Sequence, residues 1–363
     1  MDTVTPEDLR AAVAAGILSE AQAVSVSTLA QGRAGQRSAM PAEDEPFEFF
    51  KGFSEIFVSI GLVILLSGIA AMLAWFGGEG LLIFVPLAVA VVAWWWANYF
   101  TLRRRMNLPS MMLAMAFGSG MYLSAVTMAT IGDLPVRVAV VGSFVIGALG
   151  MALWYRRFRL PFSAFILGLF VLGAVYSLTA TVDSLGGFIE GNRAAGFAAL
   201  VDLRESPAFA LATLGFGIGA FLVGMWFDTR DPYRLGRHAA TAFWCHMLAA
   251  PALVNTVALT LYNTGGQSGV VLLMLALVGI TVLALVIDRR SFLSAAIAYI
   301  ALVIAWIVQG NGQADFGTWT FILILLGAVI TAIGTWWVPL RAALMRVLPA
   351  FPGKDRLPPY AKA

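Results

Sequence analysis

FSEIFVSIGLVILLSGIAAMLAW, residues 53–75, contains one acid, Glu55, and no basic residue in twenty-three positions. About 20 apolar residues in a helix cross the ~30 Å hydrocarbon core of a bilayer. A helix apolar on every side has no face to offer water. Nine further runs of the same kind follow, at 81–101, 108–130, 134–155, 160–180, 208–228, 239–260, 269–287, 291–308 and 319–337. The whole chain is 60% hydrophobic and 12% charged over 363 residues, against about 25% charged in an ordinary soluble domain. Its mean hydropathy is +0.86. The expected fold class is all-α, a polytopic transmembrane helical bundle of about ten spans.

Reversing direction at each span sorts the basic residues. If the N-terminus lies inside, one side receives Arg103, Arg104 and Arg105; Arg156, Arg157 and Arg159; Arg230, Arg234 and Arg237; and Arg289 and Arg290. The terminal segments bring that side to twenty, and the other side keeps only Arg137, Arg193 and Arg204. Short cytoplasmic loops carry such an excess, so both termini are expected in the cytoplasm. Omitting one middle span would destroy the split, which therefore supports the count as well. The net charge of +3 is spread over short loops, which argues against nucleic acid as a partner. Cys245 is the only cysteine, so no intrachain disulfide or CxxC metal site exists. No apolar h-region of a cleavable signal peptide is read in the first fifty residues.

Four regions are expected. Residues 1–30 read as a cytoplasmic helical hairpin: Gly16 ends one helix, and Ser19 with Gln22 forms a capping box that starts the next. Residues 31–52 form a linker, with acids at Glu43, Asp44 and Glu45, and a phenylalanine-rich approach to the bilayer. Residues 53–337 are the ten-span domain. Residues 338–363 add an interfacial helix and a proline-rich cytoplasmic tail expected to be extended. A further amphipathic surface helix is expected within 193–204.

RRxxL recurs at Arg104–Leu108, Arg156–Leu160 and Arg289–Leu293. It reads either as a repeated anion or lipid-headgroup site, or as retained arginines followed by helix starts.

Polar groups inside spans are costly in hydrocarbon and mark candidate sites. The seventh span concentrates them: His238, Thr241, Cys245, His246, Asn255 and Thr256, together with Pro251. At about 100° per residue, His238, Thr241, Cys245, Ala249, Ala252 and Thr256 share one stripe. His246 falls about 80° off it, and Asn255 about 180° from His246. The candidate device is a hinge at Pro251 with His246 as a proton- or ligand-binding group; the alternative is a packing helix whose histidine bonds a neighbouring carbonyl. No deep acid is expected beside His246. Glu55, Asp228 and Asp288 read as interfacial ion pairs, and Asp133 as a partner of Arg137 four residues on. Gly215 and Gly219 form a GxxxG pair of the helix-packing kind.

Enzyme motifs are absent: no HExxH, Walker A, GxSxG or GxGD sequence occurs. Gly118-Ser119-Gly120 with His246 as a base loosely resembles a membrane serine nucleophile. No catalytic, cofactor-binding or metal-ligating residue is assigned, and no cofactor is expected.

The hairpin segment Ala15–Gln22, the phenylalanine-rich entry to the first span, Asp288-Arg289-Arg290 and the Leu357-Pro358-Pro359-Tyr360 ending carry a resemblance. In these the chain resembles bacterial predicted membrane proteins belonging to domain-of-unknown-function families. That resemblance implies a bacterial inner membrane and no assigned activity. Two function classes follow from the whole reading. The expectation is a permease-like transporter of a small-molecule solute. The alternative is a membrane-anchored sensor or assembly protein whose residues 1–30 bind a cytoplasmic protein partner. A hydrated cavity reaching His246 or Asn255 would favour the first, and a solidly packed bundle with an exposed apolar hairpin face the second.

Overall fold

A computed structural model describes residues 52–77, 83–181, 200–232, 234, 236–293, 296, 316–358 and 360, with residues 12–13, 15–19, 22 and 25–26. Among the described residues there is no strand, and eight helices are long and apolar enough to cross a membrane. They are α1 (Phe53–Phe76), α2 (Val85–Ala97), α3 (Asn107–Ile131), α4 (Val136–Phe158), α5 (Phe162–Thr179), α6 (Pro207–Asp228), α7 (Arg237–Thr264) and α8 (Gly266–Ile287). The spanning length of α2 includes a π-helical turn, Asn98–Arg103. Beyond them lie α9 (Phe316–Thr335) and a short α10 (Trp337–Val347), bent by 68° from the helix before it. These ranges coincide with the first eight expected spans to within a few residues. Most of the expected ninth, 291–308, lies outside the described residues.

Proline begins helices here, since its missing N–H is one that no first turn uses. Pro207 is the first residue of α6, and Pro135 and Pro161 precede α4 and α5. Pro86, expected inside the second span, is the second residue of α2 because that helix starts at Val85.

The three RRxxL stretches do not share a backbone. The left-handed residue is Arg105 in the first, Arg159 in the second and Asp288, just before the motif, in the third. A structural repeat would put it at one position, so the recurrence is one of composition.

Consecutive helices pack side by side, and α1 leans on α2 and α3. One apolar core joins α1 to α5 around Trp94, Phe117, Trp154 and Phe158, whose rings meet at centroid distances of 4.5–5.7 Å. A second joins α7, α8 and α10 around Val254, Leu273, Phe292 and Trp337. Trp244 of α7 connects the two by packing on Phe162 and Phe165 of α5. Two-thirds of the most apolar window of α7 (67%) is buried, against 17–33% for the other seven helices. It is the central post of the bundle, flanked by α5, α6 and α8.

Cross-helix bonds sort the helix ends into two sets. At one end Arg157 Nη2 of α4 donates to Asn98 Oδ1 beside α2 (3.0 Å), and Glu55 of α1 accepts from the first amides of α3. At the opposite end Arg137 of α4 donates to the carbonyl of Ala180 after α5. There too Arg204, before α6, donates to the carbonyl of Asn263 near the end of α7. The first set is the arginine-rich end. Arg137 thus caps α5 instead of forming the expected local pair with Asp133, which serves as a left-handed turn residue.

At the N-terminus, Ser19 N–H donates to Gln22 Oε1 (2.9 Å) and Gln22 N–H to Ser19 Oγ (3.3 Å), the reciprocal bonds of a capping box. Gly16 takes φ +71°, with Ile17 N–H returning to Ala12 O, a left-handed helix end. Most of the expected surface helix at 193–204 lies outside the described residues. Its end is pinned to α7, because Asp202 accepts from Asn263 Nδ2 (2.6 Å) and Leu203 N–H donates to Thr260 Oγ1 (3.0 Å).

Candidate functional site: a buried charge cluster at the arginine-rich end

α6 carries its small and polar buried residues on one stripe: Ala210, Thr213, Gly217, Gly224 and Asp228. Spacings of three, four, seven and four keep them within one face of a 3.6-residue helix. That face meets α7. A Cβ on Gly217 would lie 2.9 Å from Leu253, and one on Gly224 would lie 2.8 Å from His246 Cε1. The absence of a side chain at Gly224 is what lets the imidazole lie against the α6 backbone. One turn further on, Asp228 Oδ2 meets His246 Nε2 at 2.9 Å. An ionised carboxylate only accepts, so this bond requires the tautomer with hydrogen on Nε2.

The third member comes from the end of α8. Asp288 takes φ 58°, a left-handed conformation that stops α8 and turns the chain. Arg289 therefore points back into the bundle. Its Nε and Nη2 both donate to Asp228, and Nη2 also reaches Ala239 O at 3.0 Å. His246 and Arg289 are both 0% exposed. A bidentate arginine–carboxylate bond is the geometry that best offsets the cost of burying both charges.

Asp288 anchors a second set. Trp337 Nε1 donates to its Oδ1 at 2.7 Å, and Arg234 Nη1 lies 3.3 Å from its Oδ2. Arg341 of α10 lies 3.6 Å from Oδ1 and also donates to Leu285 O (3.0 Å) and Pro358 O (2.6 Å). Burial draws the Arg341 guanidinium below its ordinary value, while Asp288 and Tyr360 pull it back up. The tail expected to be extended is instead held: it makes a 3-10 turn at Lys354–Arg356, and Leu357 and Pro358 are buried.

Four expectations are corrected by this geometry. His246 has an acid partner, Asp228, eighteen residues earlier on the neighbouring helix. Asp228 and Asp288 do pair with arginines, but the pairs are buried and long-range instead of interfacial and local. Among the described residues Glu55 pairs with no cation: its Oε2 accepts from the N–H groups of Asn107 and Leu108, each at 3.1 Å, and so caps α3. Among the described residues the GxxxG pair makes no contact, since a Cβ on Gly215 or Gly219 would meet none of their atoms within 4 Å. The working pair is Gly217 and Gly224, on the opposite side of the helix.

The other expected site residues do not assemble. His238 is exposed and stacks on Phe227. Cys245 is buried. Asn255 is half-buried, and Pro251 is on the exposed face of α7, which continues through it as one helix. Thr241, on the expected stripe, meets Tyr155 of α4, their hydroxyl oxygens 3.2 Å apart. Ser119 is exposed and donates to its own helix at Ala116 O, whereas His246 is buried against Asp228. A cavity of about 230 Å³ between α7 and α8 is lined by apolar residues, among them Leu253, Val257, Ile280 and Phe292. Neither His246 nor Asn255 lines it. Among the described residues no group of three or more His, Cys, Asp or Glu side chains is arranged to hold a metal ion.

No family model, no curated protein and no solved structure matches this chain. The functional reading accordingly rests on the geometry.

Proposed function

We propose that the chain is a ten-span protein of a bacterial inner membrane, with both termini cytoplasmic, acting as a membrane-anchored sensor or assembly scaffold. On this reading the hairpin at residues 1–30 binds a cytoplasmic protein, and the spans provide a stiff anchor. One observation carries it: Thr241, Cys245, His246 and Thr256 of the central helix are buried inside the bundle. His246 and Arg289 converge on Asp228 with no exposure, and the neighbouring cavity is apolar. A solute pathway needs polar groups that face a hydrated space. Among the described residues of the N-terminal segment, by contrast, Ile17 is 74% exposed and Val26 is exposed too.

The span count and orientation are supported by parity. α1 starts at the arginine-rich end, where Glu55 caps α3, and α8 finishes there at Asp288. Trp337 and Arg341, just after α9, bond to Asp288 and Leu285 at that same end. An even number of crossings between residues 288 and 337 accords with this placement. α9 with the apolar run 291–308 makes two, and ten in all.

A second reading, transport of a small solute, draws on the buried carboxylate–imidazole pair, which is the kind of group that carries protons in membranes. In-cell crosslinking followed by purification separates the two. The scaffold reading expects a discrete cytoplasmic protein on the full chain, lost with Ile17→Asp. Growth of a deletion strain on single-nutrient arrays is the companion measurement. A nutrient-specific defect repaired by a chain lacking residues 1–30 would establish transport instead.

A further inference from the structure

At the arginine-rich end of α2 to α5, positive charge is gathered, and among the described residues no acid forms a salt bridge with it. Arg103, Arg104 and Arg105 leave the π-turn, and Arg156, Arg157 and Arg159 close α4. From residue 80 to 182 the only acid is Asp133, at the opposite end of the helices. Glu55 is buried and occupied by the amides of α3.

Neighbouring residues of the π-turn hold two of these guanidinium groups in place. Asn98 Oδ1 accepts from Arg157 (3.0 Å), and Tyr99 Oη accepts from Arg104 Nε (2.9 Å). The turn itself creates the second contact. Arg104 N–H bonds to Tyr99 O at 2.9 Å, the five-residue spacing of a π-helix, which sets the side chains of residues 99 and 104 together. The guanidinium also lies over the tyrosine ring, 5.6 Å from its centre. Beneath, the ring cluster of Trp94, Trp154 and Phe158 locks α2 to α4. Two cations are thus tethered by neutral acceptors on adjacent residues, Asn98 and Tyr99, on a rigid base. One to two turns down the same helices, Trp95 and Leu153 are exposed and apolar. An anion with an apolar body fits both features.

We propose that this crest binds the phosphate headgroup of an anionic phospholipid, with Arg104 and Arg157 on the phosphate oxygens and the acyl chains along α2 and α4. Two guanidinium–phosphate contacts at a membrane surface correspond to about ten- to thirty-fold in affinity.

The test uses the full chain in detergent and follows its thermal midpoint during titration with phosphatidylglycerol, phosphatidylcholine or inorganic phosphate. Phosphatidylglycerol is expected to raise the midpoint and the other two to leave it unchanged. Arg104→Gln with Arg157→Gln should weaken the response about ten- to thirty-fold. Tyr99→Phe keeps every charge but frees Arg104, and should weaken it by a smaller factor. Arg230→Gln with Arg237→Gln removes the same charge from another loop at this end and should change nothing. An equal response to inorganic phosphate, or an equal loss in the Arg230/Arg237 variant, would overturn the proposal. So would binding that appears only when Glu43, Asp44 and Glu45 are neutralised, since the occupant would then be the chain's own acidic linker.

Discussion

Asp228 accepts from a histidine on one helix and an arginine from the end of another, so its removal affects three elements together. Asp228→Asn leaves Arg289 buried with a neutral partner. Breaking such a pair costs about 3–5 kcal/mol, and chemical unfolding in detergent should read a loss of that size. Arg289→Gln should lose a similar amount. The double variant should lose less than the sum, because neither charge is then stranded. The glycines of α6 provide a sharper test of which face is packed. Gly224→Ala drives a methyl into the imidazole and should destabilise by about 1–3 kcal/mol, the range for overpacking. Gly219→Ala faces open space and should be neutral, or stabilising by up to ~1 kcal/mol through helix propensity. If the two responses were reversed, the rotation assigned to α6 would be wrong.

α7 is an unusual element because its polar stripe and its histidine face are both covered, the first by α4 and α5 and the second by α6. Periodicity identified the stripe at Thr241, Cys245, Ala249, Ala252 and Thr256, all of them buried. It also placed His238 there, and that residue is exposed, because as the second residue of the helix it lies at the rim of the bundle with only the Phe227 ring stacked on it among the described residues. Pro251 lies on the exposed face, so Pro251→Ala restores a backbone hydrogen bond without touching a neighbour. The thermal midpoint should stay level or rise, where a functional hinge would show itself as lost activity with a more stable fold. The start of α3 depends on a carboxylate from α1. Glu55→Gln keeps the shape and removes the charge at the helix N-terminus, and should cost about 0.5–2 kcal/mol by the same unfolding measurement.

Over the whole molecule, the two sets of helix-end contacts imply that Arg237 and Gln267, both exposed, lie on opposite sides of the bilayer. With the buried Cys245 replaced by Ala, and with both termini cytoplasmic as proposed, Arg237→Cys should react with an impermeant maleimide only in inverted vesicles. Gln267→Cys should react only in intact cells. Labelling of both from one side would remove the ten-span arrangement. The first eight helices were legible because a run of apolar residues long enough to cross hydrocarbon has no other stable solvent. Their ends were legible where proline or an arginine pair punctuates them, as at Pro161, Pro207 and Arg156–Arg157. The charge cluster was only half legible. Ala210, Gly217, Gly224 and Asp228 form a stripe that aims Asp228 inward, and that spacing was available. The GxxxG pair at Gly215 and Gly219 lies on the other side of the helix, away from α7.

Which helices form, how long they are and where the arginines gather follow from the sequence alone, because each depends on residues close together in the chain. How each helix is rotated does not, since an apolar helix in an apolar solvent carries little record of which side meets its neighbours. Only packing set Gly224 under His246 and Asp228 beside it, and only the left-handed turn at Asp288 sent Arg289 inward. The tertiary structure thereby turned three scattered polar residues, 18 and 43 positions apart in the chain, into one buried bond network.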